Sequence, residues 1–171
     1  DAQLLVTALR RLQIQLPDKR ILLDANATRA AFDWAWQDML NQAQPGDTLI
    51  LTFSGHGGQV PDIPPLGEID QSDEMLMFHD FNPIHPLQGS IIDDDMYNLL
   101  EKASINYNIV LVVDACHSSG ATRSQARQSG KIRNGGRYKV QSDLSMPSQR
   151  EDTELPRNVT RISGVVSDSL K

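Results

Sequence analysis

Two short segments hold the residue types that could do covalent chemistry. One is Ser54-Gly55-His56-Gly57-Gly58-Gln59, the other Asp114-Ala115-Cys116-His117-Ser118-Ser119-Gly120. Cys116 is the single cysteine of the chain, which excludes an intramolecular disulfide and a multi-thiolate zinc site. A lone cysteine is most often a small buried hydrophobe, and a lone histidine a polar surface residue. Here both stand in polar, glycine-rich stretches just after apolar runs, where a packing cysteine has little to pack against. A thiol beside an imidazole loses its proton more readily, and the thiolate is the nucleophile. Glycines around His56 let a substrate backbone come close and can turn amide N–H groups toward an oxyanion. The two segments read as nucleophile and general base for acyl transfer.

That chemistry needs rigid elements that bring the segments together. Thr48-Leu49-Ile50-Leu51-Thr52-Phe53, entered from the turn Pro45-Gly46-Asp47, is a strong strand ending just before the first segment. Ile109-Val110-Leu111-Val112-Val113 is β-branched and apolar throughout, as suits a strand buried on both faces, and it ends at the second segment. Open parallel sheets gather ligands beyond the carboxyl ends of their strands, so neighbouring placement of these two strands sets His56 beside Cys116. Elsewhere, Leu4, Leu5, Ala8, Leu9 and Leu12 have helical spacing over residues 1–14, which Pro17-Asp18 ends. Ile21-Leu22-Leu23 fits a short buried strand. Thr28 caps a helix running to about Gln42, with Ala31, Trp34, Ala35 and Leu40 facing inward. Residues 57–72 read as Gly- and Pro-rich loop, Met75 to Phe78 as a short strand, Asp94 to Ala103 as a helix, and Val159 to Val166 as a further strand. Strands alternating with helices give an α/β fold with a mostly parallel sheet.

Strand–Ser-Gly-His-Gly-Gly-Gln and strand–Asp-Ala-Cys-His-Ser resemble the catalytic motifs of the caspase clan of cysteine peptidases. Animal caspases place the histidine about 50 residues before the cysteine; here His56 precedes Cys116 by 60 positions. The Asp before Ala-Cys and the His-Ser after it are more similar to metacaspases, in particular to their bacterial relatives of the orthocaspase type. The resemblance runs from residue 1 to about residue 123 and returns weakly near the C-terminus. It implies a caspase-like three-layer α/β/α sandwich, with His56 as general base and Cys116 as nucleophile in a dyad. His117 receives no role from it. It also implies a cysteine endopeptidase in which the oxyanion is held by backbone N–H groups, those of Gly57 and Cys116.

Metacaspases resemble one another in an acidic pocket that reads Arg or Lys, and the match carries over to Asp114, Ser54 and Asp1. Independently of the family, a carboxylate two residues before the nucleophile is well placed to pair with a cationic side chain, bidentately with arginine. The implied partners are peptide or protein substrates with Arg or Lys before the scissile bond. Asp73, Asp93 and Asp94 match acidic positions that bind calcium in many metacaspases, and hard oxygen donors suit that ion. The pattern departs at Arg123, which stands seven residues after the cysteine at a further ligand position, and Ser118-Ser119-Gly120 carries one serine more than the family's His-Ser-Gly. Asp93, Asp94 and Asp95 also open a helix, where acids complement the macrodipole. No cofactor is required by this chemistry, and calcium is the one ion the pattern admits.

Composition bounds the alternatives. With 171 residues, 39% hydrophobic and 22% charged, the chain is one ordinary domain's worth of material, neither disordered nor fibrous. No apolar run nears the roughly 20 residues of a membrane span. A net charge of −6 argues against nucleic acid as a partner. Residues 121–150 nevertheless carry Arg123, Arg127, Lys131, Arg133, Arg137, Lys139 and Arg150 against one acid, Asp143. This Ser-, Gln- and Gly-rich stretch, with its surroundings over 121–157, reads as an exposed loop, either a solvated linker or a segment whose cations something acidic reads. With the acidic pocket that the resemblance implies, it is expected to contain self-cleavage sites and to cover the cleft until cut. Beginning inside a helix and ending at Lys171, the chain is expected to be a single partial domain lacking its first strand and its small-subunit half, with its own missing C-terminal region as a partner. A free reactive thiol favours a reducing compartment such as the cytoplasm. Two other readings compete: an inactive caspase-fold assembly module, against which His56 and Cys116 speak, and a metal hydrolase built on the Asp cluster with His79 and His85, whose spacing is unhelpful.

Overall fold

A computed structural model describes residues 2–61, 63, 72–115, 134–137, 156 and 158–163 of the chain. Cys116 and Asp1 lie outside the described residues, as does most of the basic segment 121–157.

Helix α1 (Ala2–Arg11) forms where the leucine spacing predicts it. It leaves Leu4 and Leu12 largely exposed and only half-buries Leu5 and Leu9. Ile21 to Leu23, expected as a strand, instead runs between two short 3-10 turns, Asp18–Arg20 and Asp24–Asn26. Leu22 still packs on the core, so its apolar character is used without strand pairing. Thr28 then caps α2 (Arg29–Gln42), its hydroxyl accepting the amide N–H of Ala31 at 3.2 Å. The inward face of α2 is set by Phe32 and Trp36, four residues apart, while Trp34 is 51% exposed and points away from the core. Helical spacing alone predicts Trp34 inward, and its exposure corrects that expectation.

Beyond the Pro45–Gly46 turn, where Gly46 adopts φ +93°, strand β1 (Thr48–Ser54) begins. Strand β2 (His56–Pro61) follows after one residue, so the expected loop starts later than predicted. Glycines mask the strand in the sequence; pairing with β3 (Ser72–Met77) supplies what intrinsic preference lacks. Strand β4 (Ser90–Ile92) leads directly into α3 (Asp93–Ser104), followed by β5 (Asn108–Asp114), β6 (Asn134–Arg137) and β7 (Val159–Ser163).

The strands form two sheets. One is parallel, in the order β1-β5-β7; the other is mixed, in the order β4-β3-β2-β6. The crossover β1 to β5 through the intervening hairpin and α3 leaves β5 in the middle of the parallel sheet. Ile109, Leu111 and Val113 of β5 are buried against Phe32 and Trp36 of α2 and Met96, Leu100 and Ala103 of α3. Val110 and Val112 on the opposite face are half-buried, so β5 is covered more fully on one side than its uniform apolar character suggested. A smaller cluster of Val60, Met75, Met77 and Ile92 lies within the mixed sheet. Among the described residues no helix is long and apolar enough to cross a membrane.

Candidate active site

The two chemistry-bearing segments meet at the carboxyl ends of β1 and β5. These strands run parallel in a register that sets Ser54 against Asp114. Ser54 Oγ donates to Asp114 Oδ2 at 3.3 Å, and the amide N–H of Gly55 donates to the Asp114 carbonyl at 3.1 Å. The second bond extends the ladder one step past the end of β1 and fixes the residue immediately before His56. Both Ser54 and Asp114 are half-buried, which leaves the carboxylate reachable while one of its oxygens is oriented by the hydroxyl.

His56 is the first residue of β2, exposed, and opposite Met77 of β3 in the antiparallel register. The next residues, Gly57 and Gly58, are buried. Gly55 has a packing reason as well: a Cβ there would lie 3.0 Å from the Phe53 ring. That ring stands edge-on to Phe78 at 5.9 Å, and Phe78 in turn packs on Phe32 at 5.2 Å. The bend that presents His56 is therefore seated on an aromatic column reaching into the main core. On the β5 side the chain passes from Asp114 through buried Ala115 toward Cys116, which lies beyond the described residues.

Part of the basic segment returns to this site. Strand β6 pairs in parallel with β2, with Gly57 against Asn134 and Gln59 against Arg137 and an irregularity between them. Composition predicts loop over 121–157, whereas residues 134–137 form a strand beside the one that starts at His56.

The acidic residues gather elsewhere. Asp73 on β3 is fully buried, its Oδ2 accepting the amide N–H of Ile63 at 3.0 Å. Antiparallel pairing sets Met75 against Ile92, so Asp73 and the Asp93–Asp94 start of α3 come to the same end of the β3–β4 hairpin. Asp93 Oδ1 accepts the amide N–H of Asp94 at 3.1 Å, while the N-cap position of α3 is Ile92, so these acids serve the first turn without a side-chain cap. Among the described residues no group of three or more His, Cys, Asp or Glu side chains comes together as a metal site, His79 and His85 included.

Comparison with known proteins adds a family. Residues 7–124 match the family described as "Metacaspase, peptidase C14 domain". Metacaspase-7 of Arabidopsis thaliana is 35% identical over 99 residues, covering 57% of this chain and 22% of that protein. Metacaspase-1 of Saccharomyces cerevisiae (strain ATCC 204508 / S288c) is 38% identical over 92 residues, covering 53% and 20%. The chain thus spans about a fifth of the length of these relatives. A solved structure of a Geobacter sulfurreducens protein is 35% identical, with a TM-score of 0.44, and covers 57% of this chain and 33% of that one.

Proposed function

Because the chain belongs to the metacaspase, peptidase C14 family, we propose that it is a cysteine endopeptidase cutting after Arg or Lys through Cys116 and His56. The observation that carries the reading is the bonded junction of the two segments, Gly55 and Ser54 to Asp114. It sets the residue before His56 and the residue two before Cys116 side by side. A parallel sheet with α2 and α3 packed on the Ile109, Leu111 and Val113 face of β5 is consistent with a caspase-like α/β fold.

In this reading the Cys116 thiolate attacks the carbonyl carbon of a peptide bond. A sulfur–carbon bond forms, and the carbonyl electron pair moves onto oxygen, stabilised by the N–H groups of Gly57 and Cys116. The intermediate collapses, the carbon–nitrogen bond breaks, and His56 gives a proton to the departing amine. Water, deprotonated by His56, then hydrolyses the thioester and restores the thiolate. Before the scissile bond an Arg or Lys side chain meets Asp114, whose carboxylate Ser54 orients; Asp1 completes the acidic pocket.

Two further features belong to the proposal. Calcium at Asp73, Asp93 and Asp94 is carried by the family resemblance alone, because among the described residues these carboxylates do not gather into a metal site; no catalytic step depends on it. The basic segment 121–157 would be cut by the enzyme itself, and its β6 portion, lying along β2, keeps it within reach of the site. The free thiol suits a reducing, cytoplasmic setting. Stoichiometric alkylation tests the nucleophile: one label on Cys116, with full loss of activity, is expected. Activity that survives complete labelling contradicts the assignment.

A further inference from the structure

Gly55 is the one residue between β1 and β2, and at it the chain leaves the parallel sheet for the mixed one. Hydrogen bonds hold the chain within each sheet. On one side the Gly55 N–H donates to the Asp114 carbonyl at 3.1 Å; on the other, His56 pairs with Met77. Neither ladder sets the angle between the sheets, because ladder bonds run between neighbouring strands of their own sheet. That angle is left to what packs in the bend. Side chains two apart on a strand share a face, and the Phe53 ring folds forward onto Gly55. A Cβ at Gly55 would stand 3.0 Å from Phe53 Cζ, 3.1 Å from Cε1 and 3.9 Å from Cε2, so the tip of the ring fills the place a side chain would take. The ring has little room to retreat. Its edge-on neighbour Phe78, 5.9 Å away between centroids, is buried and rests on Phe32. Phe78 is pinned in turn by its own N–H to the Gly89 carbonyl and by the His79 N–H to the Ala27 carbonyl, both at 2.8 Å.

His56 is the next residue, so the angle at Gly55 is the angle at which the imidazole is presented. Under the peptidase reading, on which this inference rests, that imidazole works at hydrogen-bond distance from the Cys116 thiol. A displacement of about 1 Å in such a pair costs on the order of a hundredfold in rate. We infer that Phe53 is a positioning residue for His56, its ring a spacer that, backed by Phe78, fixes the bend at Gly55. Phe53 acts through Gly55 and carries no chemistry of its own. The Asp114 carboxylate stands on β5, outside the bend, so a fault in the spacer falls on the chemical step rather than on recognition of a basic side chain.

The test exchanges size across the contact. A leucine side chain ends before the Cε and Cζ positions, so Phe53→Leu removes the spacer and opens room for a methyl group on residue 55. Phe53→Leu, Gly55→Ala and the double variant are compared with the parent, all as the full chain, on an Arg-fluorophore. The rate of Cys116 alkylation by iodoacetamide is followed against pH in the same four proteins. Each single change should lower kcat about five- to twentyfold with KM within about twofold. Each should also move the alkylation profile to higher pH, because a thiol whose imidazole is misplaced keeps its proton longer. The double variant should return to within about threefold of the parental kcat, with the alkylation profile restored. Phe78→Leu, which removes the backing and leaves the ring, should show both signatures more weakly. Ile109→Val thins the same core at the opposite end of β5 and should move neither. Single effects that multiply in the double variant, parental kcat in both Phe53→Leu and Phe78→Leu, or a loss confined to KM overturn the inference. Hydrolysis of the Arg-fluorophore that persists in Cys116→Ala, or is missing from the parent, would instead strike the peptidase reading itself and take this inference with it.

Discussion

The amide N–H of Gly55 donates to the carbonyl of Asp114 across 3.1 Å, carrying the β1–β5 ladder one residue past the end of β1. This single bond ties the bend that presents His56 to the strand exit that leads to Cys116. The neighbouring Ser54–Asp114 bond then orients a carboxylate in the same place. Under the proposed reading, His56 as base, the Asp114 carboxylate as pocket and the approach to Cys116 are thus referred to one pair of strand ends.

Asp114→Ala should lower kcat/KM on Arg and Lys peptides by about a hundredfold or more, the loss expected when one partner of a desolvated charge pair is removed. Ser54→Ala leaves the carboxylate in place and removes only an orienting bond of about 1 kcal/mol, so its loss should be near tenfold or below. Steady-state kinetics on an Arg, Lys and Asp peptide series distinguishes the two. An Ser54→Ala effect equal to that of Asp114→Ala would contradict the division of roles.

Gly46 and Gly89 both adopt positive φ, but their surroundings differ. Nothing lies within 4 Å of a Cβ at Gly46, whereas a Cβ at Gly89 meets the backbone of Asp80. Gly46→Ala should cost about 1–2 kcal/mol, the left-handed backbone penalty alone. Gly89→Ala should cost more, because the collision with a carbonyl is added. Urea denaturation midpoints at constant slope check the order.

Thr28→Ala should destabilise by about 1 kcal/mol, since the α2 cap loses the acceptor of the Ala31 N–H, and Thr28→Ser should restore most of it. Leu100 is 1% exposed within the main core, and Leu100→Ala should cost about 3–5 kcal/mol.

The Asp38 carboxyl is held below its ordinary value by its bond to Lys19, with Arg20 assisting and partial burial opposing. A lowered folded-state pKa stabilises the fold above the unfolded-state value, and that contribution disappears as pH falls through the folded-state value. Stability of the parent should therefore fall more steeply than that of Asp38→Asn between about pH 5 and pH 2. Parallel limbs in the two proteins would contradict the pairing.

Legibility followed the strength of the local pattern. Ile109 to Val113 of β5 is an uninterrupted apolar run, β1 is largely apolar with a Pro-Gly turn before it, and Thr28 is a cap with a helix behind it; each forms as read. β2 was hidden because His56-Gly57-Gly58-Gln59 has no strand preference of its own and is held by β3. Ile21 to Leu23 has strand composition, yet short 3-10 turns on either side take it up. Trp34 and Trp36 are two residues apart on a helix, so hydrophobicity could not say which faced in; the spacing to Phe32 decides for Trp36. The meeting of the two segments is legible from strand exits that converge in a parallel sheet, whereas the pairing of Ser54 with Asp114 is legible only through family resemblance, because no periodicity links residues sixty positions apart. The bonds that tie loop 78–89 to Ala27 and Arg29 are tertiary and left no sequence signal beyond Asn, Pro and Gly.

The chain is proposed to be a cysteine–histidine endopeptidase with an acidic pocket. The most direct test of that proposal is hydrolysis of fluorogenic peptides ending in Arg, Lys or Asp by the full chain, Cys116→Ala and His56→Ala, with calcium and with chelator. Cleavage after Arg and Lys alone, abolished in both variants, is the predicted result, and the calcium arms report on Asp73, Asp93 and Asp94. Cleavage that survives Cys116→Ala, or falls only after Asp, would contradict it, and silence on all three peptides would make the chain an inactive caspase-fold module.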